Sequence, residues 1–128
     1  MRFPEELRYT KDHEWVRVED GMAVVGITDH AQHELGDIVY VDVSVGVDQE
    51  VRAGEVIATL EAVKTVADVY APVSGRVVEI NPILAERPEA INQDPYGEGW
   101  ILRLQVTQPA ELEQLLDASA YKELIGQA

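Results

Sequence analysis

Three lysines stand in 128 residues, at Lys11, Lys64 and Lys122, against seven arginines. Lys11 and Lys122 lie near the ends in charged or helical surroundings. Lys64 interrupts the longest apolar stretch, Val56 to Val77, within Leu60-Glu61-Ala62-Val63-Lys64-Thr65-Val66-Ala67-Asp68. A charge there must leave the core or be neutralised. The amine is either a solvated strand charge or a group displayed for chemistry. Other chemistry-bearing side chains are sparse. His30 and His33 share a helical face at i, i+3, with Asp29 and Glu34 adjacent, a spacing open to a metal but commoner as exposed polar residues. Ser44, Ser74 and Ser119 have no nucleophile-elbow context. No glycine-rich loop follows a strand and opens a helix, which argues against a nucleotide site. No cysteine is present, excluding disulfides, thiolate metal sites and a cysteine nucleophile. Nothing in this set performs acid–base chemistry by itself.

The elements that must position Lys64 read as mostly β. Residues 9 to 27 form a hairpin, with Trp15 to Glu19 alternating, Asp20-Gly21 as a type I′ turn and Ala23 to Ile27 returning. Thr28 to Gly36 reads as a short helix capped by Thr28, favoured by Asp29 at the positive end of its dipole and ended by Gly36. Ile38 to Val43 is a β-branched strand. Gly46 and Gly54 mark turns around a weakly patterned Val47 to Arg52. Val56 to Leu60 and Val66 to Tyr70 are strands on either side of Lys64. The segment between them has no Gly, Asn or Pro, so turn chemistry does not place Lys64 at a hairpin tip.

Ala71 to Gly75 is a turn before the strand Arg76 to Ile80. Residues 81 to 99 read as irregular, with Pro82, Pro88, Pro95, Gly97 and Gly99. Trp100 to Val106 alternates as a strand. From about 108 to 126 the period becomes helical: Pro109 suits a first turn before Leu112, Leu115 and Leu116, and Ala118 to Ile125 offers a second helix. Gly36-Asp37-Ile38-Val39 faintly echoes Ser74-Gly75-Arg76-Val77-Val78, as two halves joined by a central hairpin would. Short strands with helices at the edges predict one small sandwich or barrel domain over residues 1–128.

Twenty-four acids against ten bases give a net charge of −14. Nucleic acid is an improbable partner for such a chain, because its recognition depends on basic contacts. A basic protein surface is a favourable one. No apolar run approaches the roughly 20 residues of a membrane span, and Met1 to Glu6 carries no signal or transit pattern, which predicts a cytoplasmic or already processed protein.

Taken in order, several segments resemble the H protein of the glycine cleavage system. They are Tyr9-Thr10-Lys11-Asp12-His13-Glu14-Trp15-Val16, Val25-Gly26-Ile27-Thr28-Asp29-His30-Ala31-Gln32, and Leu35-Gly36-Asp37-Ile38-Val39-Tyr40-Val41. Glu61-Ala62-Val63-Lys64, Tyr70-Ala71-Pro72-Val73-Ser74-Gly75 and Asn92-Gln93-Asp94-Pro95-Tyr96-Gly97-Glu98-Gly99-Trp100 follow. The resemblance as a whole spans residues 9 to about 125. Ala62 departs from the serine usual beside the lysine, while Lys64 and the glutamate three before it are kept. Biotinyl domains place methionine on both sides of the lysine, and 2-oxoacid dehydrogenase lipoyl domains use Asp-Lys-Ala. Neither pattern is present. An unmodified β-sandwich adaptor is the other reading left open.

The resemblance implies a barrel-sandwich hybrid of the lipoyl/biotinyl-like kind, with Lys64 at an exposed hairpin tip and amide-linked to lipoic acid by a lipoate-attaching enzyme. It implies a non-catalytic, monomeric shuttle. Glycine decarboxylase would load an aminomethyl group, the aminomethyltransferase would pass its carbon to tetrahydrofolate, and dihydrolipoamide dehydrogenase would reoxidise the arm. It further implies a cleft in which Glu14 and Asp68 shelter the loaded arm, with Asp12 a weaker third acid. A lipoyl-lysine arm extends about 12–15 Å on single bonds of ~1.5 Å.

Overall fold

The computed structural model describes residues 1–126. Nine strands occupy Arg8–Tyr9 (β1), Glu14–Glu19 (β2), Met22–Ile27 (β3), Ile38–Val43 (β4), Glu50–Val51 (β5), Val56–Ala62 (β6), Val66–Tyr70 (β7), Gly75–Ile80 (β8) and Leu102–Val106 (β9). Four α-helical segments lie at Asp29–Leu35 (α1), Ile83–Glu86 (α2), Ala90–Gln93 (α3) and Ala118–Leu124 (α4), with a 3₁₀ turn at Pro109–Gln114. Two antiparallel sheets result, one of six strands in the order β1-β2-β3-β9-β8-β5 and one of three in the order β4-β6-β7. The mostly β reading holds, and neither sheet closes on itself.

The β2–β3 hairpin follows its turn chemistry. Glu19 pairs with Met22, and Asp20 and Gly21 hold φ of 51° and 79°, as a type I′ turn requires. Directly across the hairpin, Trp15 faces Gly26. The indole is buried and donates from Nε1 to the Pro95 carbonyl at 3.0 Å. A Cβ on residue 26 would lie 2.7 Å from the ring, so the strand needs glycine there. Helix α1 also forms as its caps predict. Thr28 Oγ1 accepts the Ala31 N–H at 3.1 Å, and Gly36 ends the helix at φ 79°.

Where the apolar pattern was weak, the structure adds order. The segment 47 to 52 contributes β5, whose two residues pair with Arg76 and Gly75 of β8. The span 81 to 99, read as irregular, holds two one-turn helices among turns, and these helices bury Leu84, Ala90 and Ile91. After Pro109 the chain winds as 3₁₀ rather than α, and then extends so that Leu116 bridges Tyr9. Only then does α4 begin, capped by Asp117. The echoing strands β4 and β8 fall in different sheets.

One apolar core between the sheets includes Val25, Ile57, Leu60, Val69, Val77 and Leu104, all at or near zero exposure. A second joins Phe3, Tyr9, Trp15 and Tyr121, which seals α4 against β1 and β2. Tyr121 stacks on Tyr9 with centroids 4.8 Å apart and planes 12° apart. No helix of the described residues is long and apolar enough to cross a membrane.

Candidate functional site: a lysine on a hairpin tip beside an acidic cleft

Strands β6 and β7 form a hairpin that pairs as far as Glu61 and Val66. The turn closes through backbone alone: the Ala62 N–H donates to the Thr65 carbonyl at 2.8 Å. A second bond, from the Val63 N–H to the Asp37 carbonyl at 3.1 Å, ties the tip to the α1–β4 connection. Lys64 therefore occupies an exposed hairpin tip that no Gly, Asn or Pro announces. Among the described residues no carboxylate lies within ion-pair distance of its ammonium. Tip backbone fixed, amine unengaged: the side chain is presented to solvent.

β7 is an edge strand of its sheet. A cleft of about 310 Å³ opens at this hairpin, walled by β7, the start of β2, and α1. One part of its lining is apolar, from Ile27, Ala31, Leu35, Leu60, Ala67 and Val69. The other part is ionisable: Asp12, His13, Glu14, His30, Glu34 and Asp68. The structure thus brings Glu14 and Asp68 together with Asp12, the weaker third acid of the resemblance, and adds His13, His30 and Glu34, which sequence reasoning did not assign to a cleft wall. His30 lines the cleft and sits 3.8 Å from Glu34, whereas His33 is not part of its wall. Among the described residues no three His, Cys, Asp or Glu side chains are grouped to hold a metal.

Glu14 reads in the sequence as a surface acid unless the resemblance is invoked; it is buried, at 2% exposure. The Thr10 hydroxyl donates to Oε1 at 2.6 Å and the Tyr70 N–H to Oε2 at 3.1 Å. Thr10 Oγ1 itself accepts the N–H groups of Asp12 and Glu14, so its own proton is left to point at the carboxylate. Burial pushes the Glu14 carboxyl up to about 7, against the downward pull of those two donors. Asp68, by contrast, is exposed on β7 and accepts the Thr59 hydroxyl at 3.1 Å. It is the third residue of β7, four positions after Lys64 in the chain.

His13 holds a left-handed backbone at φ 73°, a region His tolerates better than most residues. Its N–H donates to the Thr10 carbonyl and its carbonyl accepts the Thr28 N–H. Its ring Nδ1 lies 2.8 Å from the Tyr121 hydroxyl, which lies 2.8 Å from Thr28 Oγ1. One buried tyrosine on α4 thus touches both the cleft wall and the cap of α1. Burial and the neighbouring His30 ring, 4.9 Å away, lower the His13 pKa below the ordinary histidine value. No local pattern around Tyr121 signals this role, because its partners stand 93 and 108 residues away.

The arrangement can hold a flexible apolar chain with a cationic end. Hydrocarbon would meet Ile27, Leu35 and Leu60, and an ammonium would meet Glu14 and Asp68. Among the described residues no serine hydroxyl is hydrogen-bonded to a histidine in the manner of a hydrolase: Ser44 donates to the Val56 carbonyl and Ser74 to Glu111.

Comparison with known proteins agrees with this geometry. The family model described as "Glycine cleavage H-protein" matches residues 7–128. The chain is 55% identical over 129 residues to the glycine cleavage system H protein of Chlorobium limicola, covering 99% of this chain and 100% of that protein. It is 50% identical over 126 residues to the H protein of Bacteroides fragilis, covering 98% and 99%. The crystal structure of a glycine cleavage system H protein from Mycobacterium marinum superposes with a TM-score of 0.89 at 40% identity, covering 97% of this chain and 99% of that one. The chain belongs to the glycine cleavage H-protein family.

Proposed function

We propose that this protein is the lipoyl carrier of a glycine cleavage system, with lipoate amide-linked to Lys64. One observation carries the reading: the exposed Lys64 amine sits on a backbone-pinned hairpin tip that adjoins a cleft part apolar and part acidic. The residues fit the group. A lipoyl chain needs an apolar wall for its methylenes, which Leu35, Leu60, Ala67 and Val69 supply, and an amine-bearing load needs carboxylate acceptors, which Glu14 and Asp68 supply. When attached, lipoate would supply a cyclic disulfide, one sulfur of which can take up a one-carbon unit as the S–S bond breaks and the other sulfur is released as a thiol.

The protein's own residues act by holding and excluding. The β6–β7 tip holds the attachment point still, so that reach comes from the side chain and its extension. Tethering raises the arm's local concentration at a docked enzyme. Glu14 and Asp68 offer charge-assisted hydrogen bonds to an ammonium in a partly dry site, where such bonds strengthen and water has less access. With no cysteine in the chain, no internal thiol competes for a disulfide cargo.

In this reading the protein is a single-domain cytoplasmic monomer. It is loaded by glycine decarboxylase, unloaded by the aminomethyltransferase and reoxidised by dihydrolipoamide dehydrogenase, after a lipoate-attaching enzyme has modified Lys64. The test is intact mass. Protein made in lipoylation-competent cells carries a lipoyl increment that Lys64→Arg abolishes; an unchanged mass, or a biotinyl increment, overturns the proposal.

A further inference from the structure

The outward face of the β4–β6–β7 sheet is uncovered beside Lys64. The register sets Tyr40, Glu61 and Val66 side by side in one row, and Asp42, Thr59 and Asp68 in the next. Tyr40, Val63 and Val66 are exposed at 54%, 68% and 60%. With strands about 4.8 Å apart, each row spans about 10 Å, so apolar and acidic side chains share one compact patch. Single exposed valines need no explanation, but a group of them around a polar rim marks an interaction surface.

The charges on this patch are one-sided. Asp42, Glu61 and Asp68 are exposed acids, and β4, β6 and β7 contain no Lys or Arg. Lys64 is the only basic residue between Arg52 and Arg76.

We propose that this face docks a protein partner whose own surface is apolar at the centre and rimmed by Arg and Lys, and that acylation of Lys64 completes it by removing its only cation. The proposal rests on Lys64 being the attachment residue. In the acylation, Nζ bonds to the acyl carbon of an activated carboxylic acid and the bond to the leaving group breaks. The leaving group departs with its electron pair, and two protons leave the former ammonium. The product amide is neutral. A basic partner then meets no like charge at the centre of the patch, so it distinguishes modified from bare carrier before the arm is engaged.

Two variants separate charge from arm, since neither can be acylated: Lys64→Gln is neutral and Lys64→Arg keeps the cation. With purified glycine decarboxylase as the probe, Lys64→Gln is expected to bind about two- to fivefold more tightly at low ionic strength, mainly through faster association, with the gap closing in high salt. Glu61→Lys added to Lys64→Gln is expected to weaken binding. Equal dissociation constants for the Gln and Arg variants overturn the switch, and an inert Glu61→Lys overturns the docking face. Failure of both variants to bind also overturns the proposal, because docking would then depend on the arm. An error in the attachment reading shows separately, as an unchanged mass of the wild type.

Discussion

Glu14 Oε2 accepts the backbone N–H of Tyr70 at 3.1 Å, across 56 residues of chain. Tyr70 ends β7, whose outer edge has no strand partner among the described residues, so a carboxylate from β2 caps a backbone group that would otherwise face the cleft unpaired. The bond joins the two sheets at the floor of the site. It also explains how a charged residue type comes to be almost fully buried.

Burial of Glu14 has a pH signature. Its carboxyl rises from 4.5 to about 7 on folding, so the folded state binds the proton more tightly than the unfolded state between those values. Stability therefore falls as pH rises through that window, and the loss is complete above it. Glu14→Gln removes the titration. Urea melts are expected to show the variant gaining on the order of 2 kcal/mol relative to wild type on going from pH 5 to pH 8. A difference independent of pH would mean that Glu14 is ionised throughout.

The cleft carboxylates are expected to protect an amine-bearing load. Glu14→Gln combined with Asp68→Asn keeps side-chain volume and removes both charges. Loss of the aminomethyl group to water, followed by ammonia release from the loaded protein, is expected to accelerate about tenfold or more, at the scale of a charge-assisted hydrogen bond. Lipoylation, read by mass, stays intact. Release rates matching wild type remove the protective role.

Tyr121→Phe tests the tie between α4 and the cleft. The ring keeps its stacking on Tyr9, but Thr28 Oγ1 and His13 Nδ1 lose the shared hydroxyl. The expected cost is about 1–2 kcal/mol in denaturant melts. The His13 imidazole ¹⁵N resonances should move as well, because the bond that selects its tautomer is gone. A stability loss without that spectral change would assign Tyr121 a packing role alone.

Gly26→Ala is expected to destabilise by about 3 kcal/mol, the upper range for overpacking. Its new Cβ would sit 2.7 Å from a Trp15 ring that is itself fixed by Pro95. Thermal melts check this. An unchanged midpoint would show that the indole can move aside.

Much of the scaffold was legible because its signals are local. Asp20-Gly21 fixes one hairpin, Thr28 and Gly36 bracket α1, and Ile38 to Val43 is a strand end to end. The two-residue β5 was not, since a strand so short has no period to read and is formed by its partner β8. One-turn α2 and α3 were hidden among prolines, and Pro109 opened a 3₁₀ turn where leucine spacing predicted α. At the site, the motif resemblance picked out Lys64, Glu14 and Asp68. It could not say that Glu14 is buried, or that His13 lines the wall with Tyr121 bonded behind it, because those facts depend on contacts between distant segments.

The His13–Tyr121 contact, 108 residues apart in sequence, also sets an order of events during synthesis. Chains emerge N-terminus first, and the β6–β7 hairpin with its lysine is a local structure that leaves the ribosome well before α4. The proposed attachment point thus emerges before the contact that holds His13 in the flanking wall can form. A nascent or C-terminally truncated chain would offer Lys64 to a modifying enzyme while lacking the finished shelter, so acceptance of the arm and protection of its load mature at different times.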